Sequence, residues 1–146
     1  MMEFLPIKRT LEENPEFMSN PDCADSLQMS VDFYKLVGFI PPWLCYYVRL
    51  NGELVGNAAY KGKPVDNKVE IAYGTIPRFR KMGIGTEICR QLVILAKKTD
   101  PNVIITARTL PEYNYSTKIL QKNGFRFTGI VWDHEDGDVW EWVFGR

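Results

Sequence analysis

Apolar positions along this chain follow two rhythms, and the change between them comes after Pro77. Upstream, Trp43 to Leu50 is rich in aromatic and β-branched residues, a composition that suits a half-buried pleated strand. Asn51-Gly52 follows, a pair that tolerates the positive φ angles of a tight hairpin, and Glu53 to Tyr60 supplies the returning strand. Lys61-Gly62-Lys63-Pro64 breaks that strand and Val69 to Ile76 makes the next, so three consecutive antiparallel strands are predicted. Ahead of them, residues 4–9 read as a short first strand. Between Pro15 and about Val37, Leu27, Val31, Tyr34 and Leu36 fall near helical spacing, with Asn20, Asp22 and Asp25 as candidate caps. One or two helices are expected there, ended by Gly38 and Pro41-Pro42.

Downstream of Pro77, Ile84, Ile88, Leu92, Leu95 and Ala96 recur at three- and four-residue intervals, the stripe of an amphipathic helix. Lys97 and Lys98 complement the helix dipole in its last turn, and Asp100-Pro101 stops it. Val103 to Thr109 reads as a strand, and a short helix runs from about Asn114 to Lys122. Asn123-Gly124 ends that helix, glycine suiting the left-handed position, with Phe125 folding back onto it. Two last strands, about 125–132 and 139–144, flank the turn Glu135-Asp136-Gly137-Asp138. The order of elements predicts an α+β, or mixed α/β, sheet domain spanning residues 1–146.

Composition narrows the function classes. Lys+Arg and Asp+Glu both number 18, so no global basic surplus attracts nucleic acid or anionic lipid. Neither nucleic acid nor membrane is an expected partner. The longest apolar stretches, such as Leu92 to Ala96, are far too short to span a bilayer. The N-terminus shows neither a basic region nor an apolar core of the kind a targeting segment carries. Cys23, Cys45 and Cys89 are far apart and in no metal-ligand spacing, so a reduced, cytoplasmic protein without a metal is expected.

The segment Arg80-Lys81-Met82-Gly83-Ile84-Gly85-Thr86 joins a strand directly to the long helix. Its glycines allow close backbone approach, and the unpaired N–H groups of a first helical turn, with the dipole, make an anion site. Arg80 and Lys81 add charge. The alternative is a tight turn with incidental basic residues. A P-loop needs a spacing that does not occur here, and a dinucleotide fingerprint needs glycine or alanine where Ile88 stands.

Arg80-x-x-Gly83-x-Gly85, with Pro77 before it and the strand Val69-Glu70-Ile71-Ala72-Tyr73 ahead, resembles the signature of the GNAT superfamily of acyl-CoA N-acyltransferases. A second block, Thr109-Leu110-Pro111-Glu112 through Asn114, Ser116, Leu120 and Asn123-Gly124-Phe125, is similar to the segment closing that family's cofactor site. Pro41-Pro42-Trp43 followed by Gly52-Glu53-Leu54-Val55-Gly56 is similar to the branch containing ribosomal-protein N-terminal acetyltransferases. The resemblance implies a central, mostly antiparallel sheet of about six or seven strands flanked by about four helices. Its fourth and fifth strands, here Val69–Ile76 and Val103–Thr109, would splay apart to admit the pantetheine arm. It further implies acetyl-CoA as cosubstrate. The backbone of Tyr73, Gly74 and Thr75 would pair with pantetheine, residues Lys81, Met82, Gly83, Ile84, Gly85 and Thr86 would hold the pyrophosphate with Arg80, and Asn114 would approach either.

Two departures from the family pattern matter. The Asn is more often three residues before the Ser, where this chain has Tyr113, and Leu120 stands where many members carry a tyrosine general acid. Tyr113 and Tyr115 lie more than a turn from that position, so the sequence does not identify the group that protonates the thiolate; Ser116 is a candidate catalytic residue of the same block. Glu70, a carboxylate in an apolar strand, is either solvent-facing by alternation or a base that takes the ammonium proton through water. His134 sits among acids whose spacing suits a solvated turn rather than a calcium loop, and Cys89 falls in the helix core. Phe33, Tyr34, Trp43, Tyr46 and Tyr47 are mostly core, with one or two of them lining an acceptor pocket. The expected activity is direct acetyl transfer to a primary amine, on a small molecule or a protein N-terminus, by a monomer or homodimer. An acyl-CoA-binding sensor without catalysis is the alternative, and a nucleotide-binding protein a third. Replacing Gly83 or Gly85 by a bulky residue is expected to abolish cofactor binding in a folded protein.

Overall fold

The computed structural model describes residues 1–145. Seven strands form one sheet: β1 (Met2–Pro6), β2 (Cys45–Leu50), β3 (Glu53–Tyr60), β4 (Lys68–Thr75), β5 (Ile104–Thr109), β6 (Phe125–Asp133) and β7 (Gly137–Phe144). Their spatial order is β1-β2-β3-β4-β5-β7-β6, and every neighbouring pair is antiparallel except β4 with β5. The helices are α1 (Pro15–Met18), α2 (Ala24–Val37), α3 (Ile84–Thr99) and α4 (Tyr115–Lys122). The mixed α+β architecture and the antiparallel β2-β3-β4 run match the sequence pattern.

The hairpin between β2 and β3 turns at Asn51 and Gly52, both at positive φ, as the pair's chemistry requires. The parallel β4–β5 step needs a crossover, and α3 supplies it. Its inner stripe, Ile84, Ile88, Cys89, Leu92 and Ala96, is buried on one face of the sheet against Val69 and Ile71. Burying each of the large side chains Ile84, Ile88 and Leu92 contributes about 1.5–3 kcal/mol. α2 covers the other face through Leu27, Val31 and Tyr34.

Tyr34 is the polar pin of that second layer. Its hydroxyl donates to Ile7 O at 2.7 Å and accepts from Cys45 N at 2.9 Å, joining α2 to the end of β1 and the start of β2. Burial pushes its ionisation well above the ordinary tyrosine range. Tyr34→Phe leaves a buried carbonyl and a buried N–H without this partner, an expected loss of about 1–3 kcal/mol in urea unfolding. A loss under a few tenths would mean that water or backbone movement replaces the hydroxyl.

Several local expectations are corrected. None of Asn20, Asp22 or Asp25 caps α2: it begins after Cys23 with no side-chain cap, Asn20 accepts from the Asp22 N–H instead, and Asp22 pairs with Arg78 at 2.8 Å. Leu36 is 83% exposed, because it lies off the face that carries Leu27, Val31 and Tyr34. The first strand ends at Pro6 rather than residue 9. Trp43 and Leu44 precede β2 in a turn closed by Trp43 N to Ile40 O and Leu44 N to Pro42 O. Asn114 stands outside α4 as its cap, its side chain accepting from Thr117 N at 3.1 Å.

Candidate active site

Between β4 and α3 the chain makes one tight turn at Pro77–Phe79 and enters the helix through Arg80–Gly83. Lys81 (φ 65°) and Gly83 (φ 78°) both lie in the left-handed region, and Gly83 is the N-cap. Among the described residues, the N–H groups of residues 81 to 86 find no hydrogen-bond acceptor; the first that does is Glu87, to Gly83 O at 3.1 Å. A run of free donors at a helix start, with the exposed side chains of Arg80 and Lys81 beside it, forms a cradle of the kind able to hold an anion. The two glycines serve it differently. A Cβ on Gly83 would meet nothing within 4 Å, so its conformation is what requires glycine. A Cβ on Gly85 would lie 2.8 Å from Ile119 Cδ1 and 3.3 Å from Thr75 Oγ1, so Gly85 lets α3 pack against α4 and β4.

The second feature is a gap in the sheet. The β4–β5 ladder runs from Lys68↔Ile104 to Ile71↔Ala107 and stops, although β4 continues to Thr75 and β5 to Thr109. Lys61 N to Glu70 O and Ile76 N to Val55 O set the alternation on the β3 side. The backbone groups of residues 70, 72, 74 and 76 therefore turn to β3, and those of 71, 73 and 75 turn to β5. Past Ile71 no β5 partner remains. Tyr73 and Thr75 thus hold free N–H and C=O groups at the gap, whereas those of Gly74 are used in the β3 ladder.

A cavity of about 390 Å3 fills the near side of the gap, lined by Tyr73, Thr75, Arg80, Lys81, Tyr115 and Ser116. A second, of about 270 Å3, shares Tyr73 and Ser116 and extends to Glu70, Arg108, Asn114 and Leu120. Arg80 and Lys81, at the start of the cradle, thus share one cavity with the free β4 edge, and Glu70 lines the adjoining one. Leu120 is buried at its wall. Ser116 is exposed in the first turn of α4, and its hydroxyl has no hydrogen-bond partner among the described residues. Tyr113 stacks edge-on against Trp140 with ring centroids 4.9 Å apart and does not line either cavity.

Glu70 lies inside an ion-pair cluster. Its carboxylate is 3.0 Å from Lys61 Nζ and 3.6 Å from Arg108 Nε, and Arg108 also reaches Asp133 at 3.1 Å and Glu141 at 3.8 Å. The Glu135 N–H, the Arg108 guanidinium and the Asp136 N–H hold the Asp133 carboxyl below its ordinary range. Sequence reasoning passed over Lys61, Arg108 and Asp133. A signal was present for Arg108, a lone charge inside the apolar strand Val103–Thr109, the argument applied to Glu70. Cys89 is fully buried behind Tyr73, and burial pushes its thiol up to about 12, as befits a core residue. His134 is exposed in the β6–β7 turn, where Asp133 Oδ1 accepts from Glu135 N and Asp136 N. Among the described residues, no group of three potential metal ligands occurs, and no helix is long and apolar enough to cross a membrane.

Comparison with known proteins gives the geometry a context. The sequence model of the Acetyltransferase (GNAT) domain family matches residues 1–126. The uncharacterized N-acetyltransferase YjdG of Bacillus subtilis is 28% identical over 95 residues, which cover 64% of this chain and 54% of that protein. The chain thus spans about half the length of this curated relative. A chimera of the Vibrio cholerae spermidine N-acetyltransferase SpeG and hSSAT superimposes with a TM-score of 0.72 at 12% identity, covering 98% of this chain and 94% of that one. The ribosomal-protein-S18-alanine N-acetyltransferase of Escherichia coli superimposes with a TM-score of 0.67 at 12% identity, covering 99% and 93%. At these identities the two structures share the fold.

Proposed function

This chain belongs to the GNAT acetyltransferase family, and on that footing we propose that it moves an acetyl group from acetyl-CoA to a primary amine by direct attack in a ternary complex. The observation that carries this reading is the joining of two features in one cleft: the unpaired N–H groups of residues 81 to 86 and the free β4 edge at Tyr73 and Thr75. The cradle fits a pyrophosphate, and the edge fits an amide-bearing arm laid down as an added strand. An amine acceptor is supported by the relatives, whose names specify spermidine and a ribosomal-protein alanine.

Acetyl-CoA supplies an acetyl group activated as a thioester. The chain's own residues do the rest. Arg80 and the 81–86 backbone anchor the phosphates, which positions the far end of the arm in the gap. A free N–H at Tyr73 or Thr75 is the donor available to negative charge building on the acetyl oxygen. Ser116 and Tyr115 are the α4 hydroxyls that line the cavity and can return a proton to the departing sulfur, since Leu120 has none to give. Glu70, at the other end of the cleft, is the candidate acceptor for the ammonium proton, with Lys61 and Arg108 holding its carboxylate in place. Asn114 spends its side-chain oxygen on the α4 cap, which leaves its amide N–H groups as the part that can meet the cosubstrate.

Calorimetric titration with acetyl-CoA tests the reading, and absence of binding at millimolar cosubstrate removes it. Arg80→Ala is expected to weaken CoA by about 1–2 kcal/mol, one charge-assisted contact, and to weaken 3′-dephospho-CoA equally. A loss confined to CoA would move Arg80 from the pyrophosphate to the 3′-phosphate. A CoA-binding sensor without catalysis is the second reading, favoured by the buried Leu120. Release of free thiol with any amine ends it.

A further inference from the structure

The β6–β7 hairpin closes one side of the sheet, and one of its two faces is aromatic. Phe127 opposes Trp142, Ile130 opposes Trp140 and Trp132 opposes Asp138, so these side chains share a side. The register shift between Phe127 and Gly129 is what aligns them: an extra residue there keeps Phe127 and Ile130, three apart, on one face. At the start of this face Phe125 and Trp142 are buried. Further along, the burial stops. Ile130 is 64% exposed, Trp132 68%, and Tyr113, which stacks on Trp140, 76%. The Phe127 ring lies 5.2 Å from that of Trp140, so the exposed side chains form one patch rather than scattered single residues.

Area and charge both bear on what covers it. With about 150–250 Å2 for a whole aromatic side chain, the exposed parts of Leu110, Tyr113, Phe127, Ile130 and Trp132 come to roughly 500–700 Å2. The largest apolar patch on a typical monomer is about 300–600 Å2. The apolar share of a homodimer interface, about 65% of about 800 Å2 on each partner, is the closer match. Charge is polarised along the hairpin. Lys118 and Lys122 on α4, with Arg126 on the other side of the strand, stand near the start of β6. Glu135, Asp136 and Asp138 stand at its far end, and Glu112 flanks the middle beside Tyr113. All seven are exposed, and none has an ion pair among the described residues. A second copy turned end for end sets each basic end against an acidic one, with aromatic side chains against aromatic side chains between them.

We propose that this chain forms a two-fold homodimer through the β6–β7 face, the two hairpins packing face to face with their β6 strands antiparallel. Trp132 and Ile130 of each copy are the anchors, large apolar side chains taken out of water by the other hairpin. The contact stands independently of the acetyl-transfer reading, because Tyr113, Phe127, Ile130 and Trp132 line neither cavity at the β4–β5 gap.

Sedimentation velocity and light scattering read the assembly directly. The wild-type protein is expected to dimerise with a dissociation constant of about 10 μM or tighter. Ile130→Lys/Trp132→Lys, both at exposed positions, is expected to keep the native far-ultraviolet dichroism and to weaken association at least about 30-fold. A charge reversal leaves the aromatic side chains in place and decides the matter if that variant fails to fold. Lys118→Glu/Lys122→Glu is expected to weaken association at low salt, and adding Glu135→Lys/Asp138→Lys recovers part of the loss. A wild-type protein that stays monomeric at about 100 μM overturns the proposal and leaves the face to a different partner. A dimer that survives Ile130→Lys/Trp132→Lys in a folded protein, or one indifferent to the charge reversal, overturns it as well.

Discussion

Gly83→Val is expected to lower CoA affinity by more than about 100-fold in a protein that still folds. The side chain itself has space, for a Cβ at this position meets nothing within 4 Å. Its effect is on the backbone. Gly83 has φ 78°, a conformation that costs a β-branched residue about 1–3 kcal/mol. Relaxing that strain rotates the N–H groups on either side of it out of the cradle formed by residues 81 to 86. Losing two or more charge-assisted contacts of about 1.5–3 kcal/mol each accounts for the factor. Far-ultraviolet dichroism and a melting curve establish folding, and calorimetry reads the affinity. Wild-type-like CoA binding in the folded variant would locate the cosubstrate elsewhere and remove the functional assignment. Gly85→Val is not an equivalent experiment, which corrects the expectation drawn from sequence. Its side chain meets Ile119 and Thr75, so it disturbs the α3–α4 contact and confounds binding with stability.

Glu70→Gln is the second substitution with a large expected effect. If Glu70 takes the proton of the attacking ammonium, kcat/KM falls by about 10²–10⁴-fold while KM for acetyl-CoA stays near the wild-type value. The structure also gives Glu70 a plainer role, as the carboxylate between Lys61 and Arg108. Loss of charge there removes two partly exposed ion pairs, and such pairs contribute about 1 kcal/mol or less each. The two roles separate cleanly. A base loses rate with little change in melting temperature, and raising the pH, which delivers more free amine, recovers part of the loss. A structural carboxylate loses stability and keeps kcat within a few-fold. The latter outcome would leave the acceptor to be deprotonated by solvent and withdraw Glu70 from the catalytic residues.

Much of the fold was legible because its signals are local. Asn51-Gly52, the Ile84–Ala96 stripe, Asp100-Pro101 and Asn123-Gly124 each specify an element or a boundary through chemistry that acts within a few residues. The run of free N–H groups was legible for the same reason, since a glycine at a helix start and the N–H groups after it are neighbours in sequence. Errors arose where two local readings competed. Asn20 and Asp22 had the composition of caps, but Asn20 bonds its own turn and Asp22 is drawn to Arg78, far along the chain. Leu36 looked like core because periodicity reports that a position is apolar and in phase, and cannot tell which of two adjacent faces meets the sheet.

By itself, then, the sequence determined the elements, their mixed α+β class and the place of the loop with free N–H groups, because these depend on spacing and backbone chemistry within one segment. Tertiary structure alone decided which edges and side chains the cleft contains. The β4–β5 ladder ends at Ile71 and Ala107 because the strands diverge, and only their pairing register reveals that Tyr73 and Thr75, not Gly74, keep free backbone groups. The Lys61–Glu70–Arg108–Asp133 cluster joins residues from β4, β5, β6 and the turn after β3, and no local pattern encodes it. Register is set by the packing of whole faces, so contacts between distant segments appear only once the sheet is assembled.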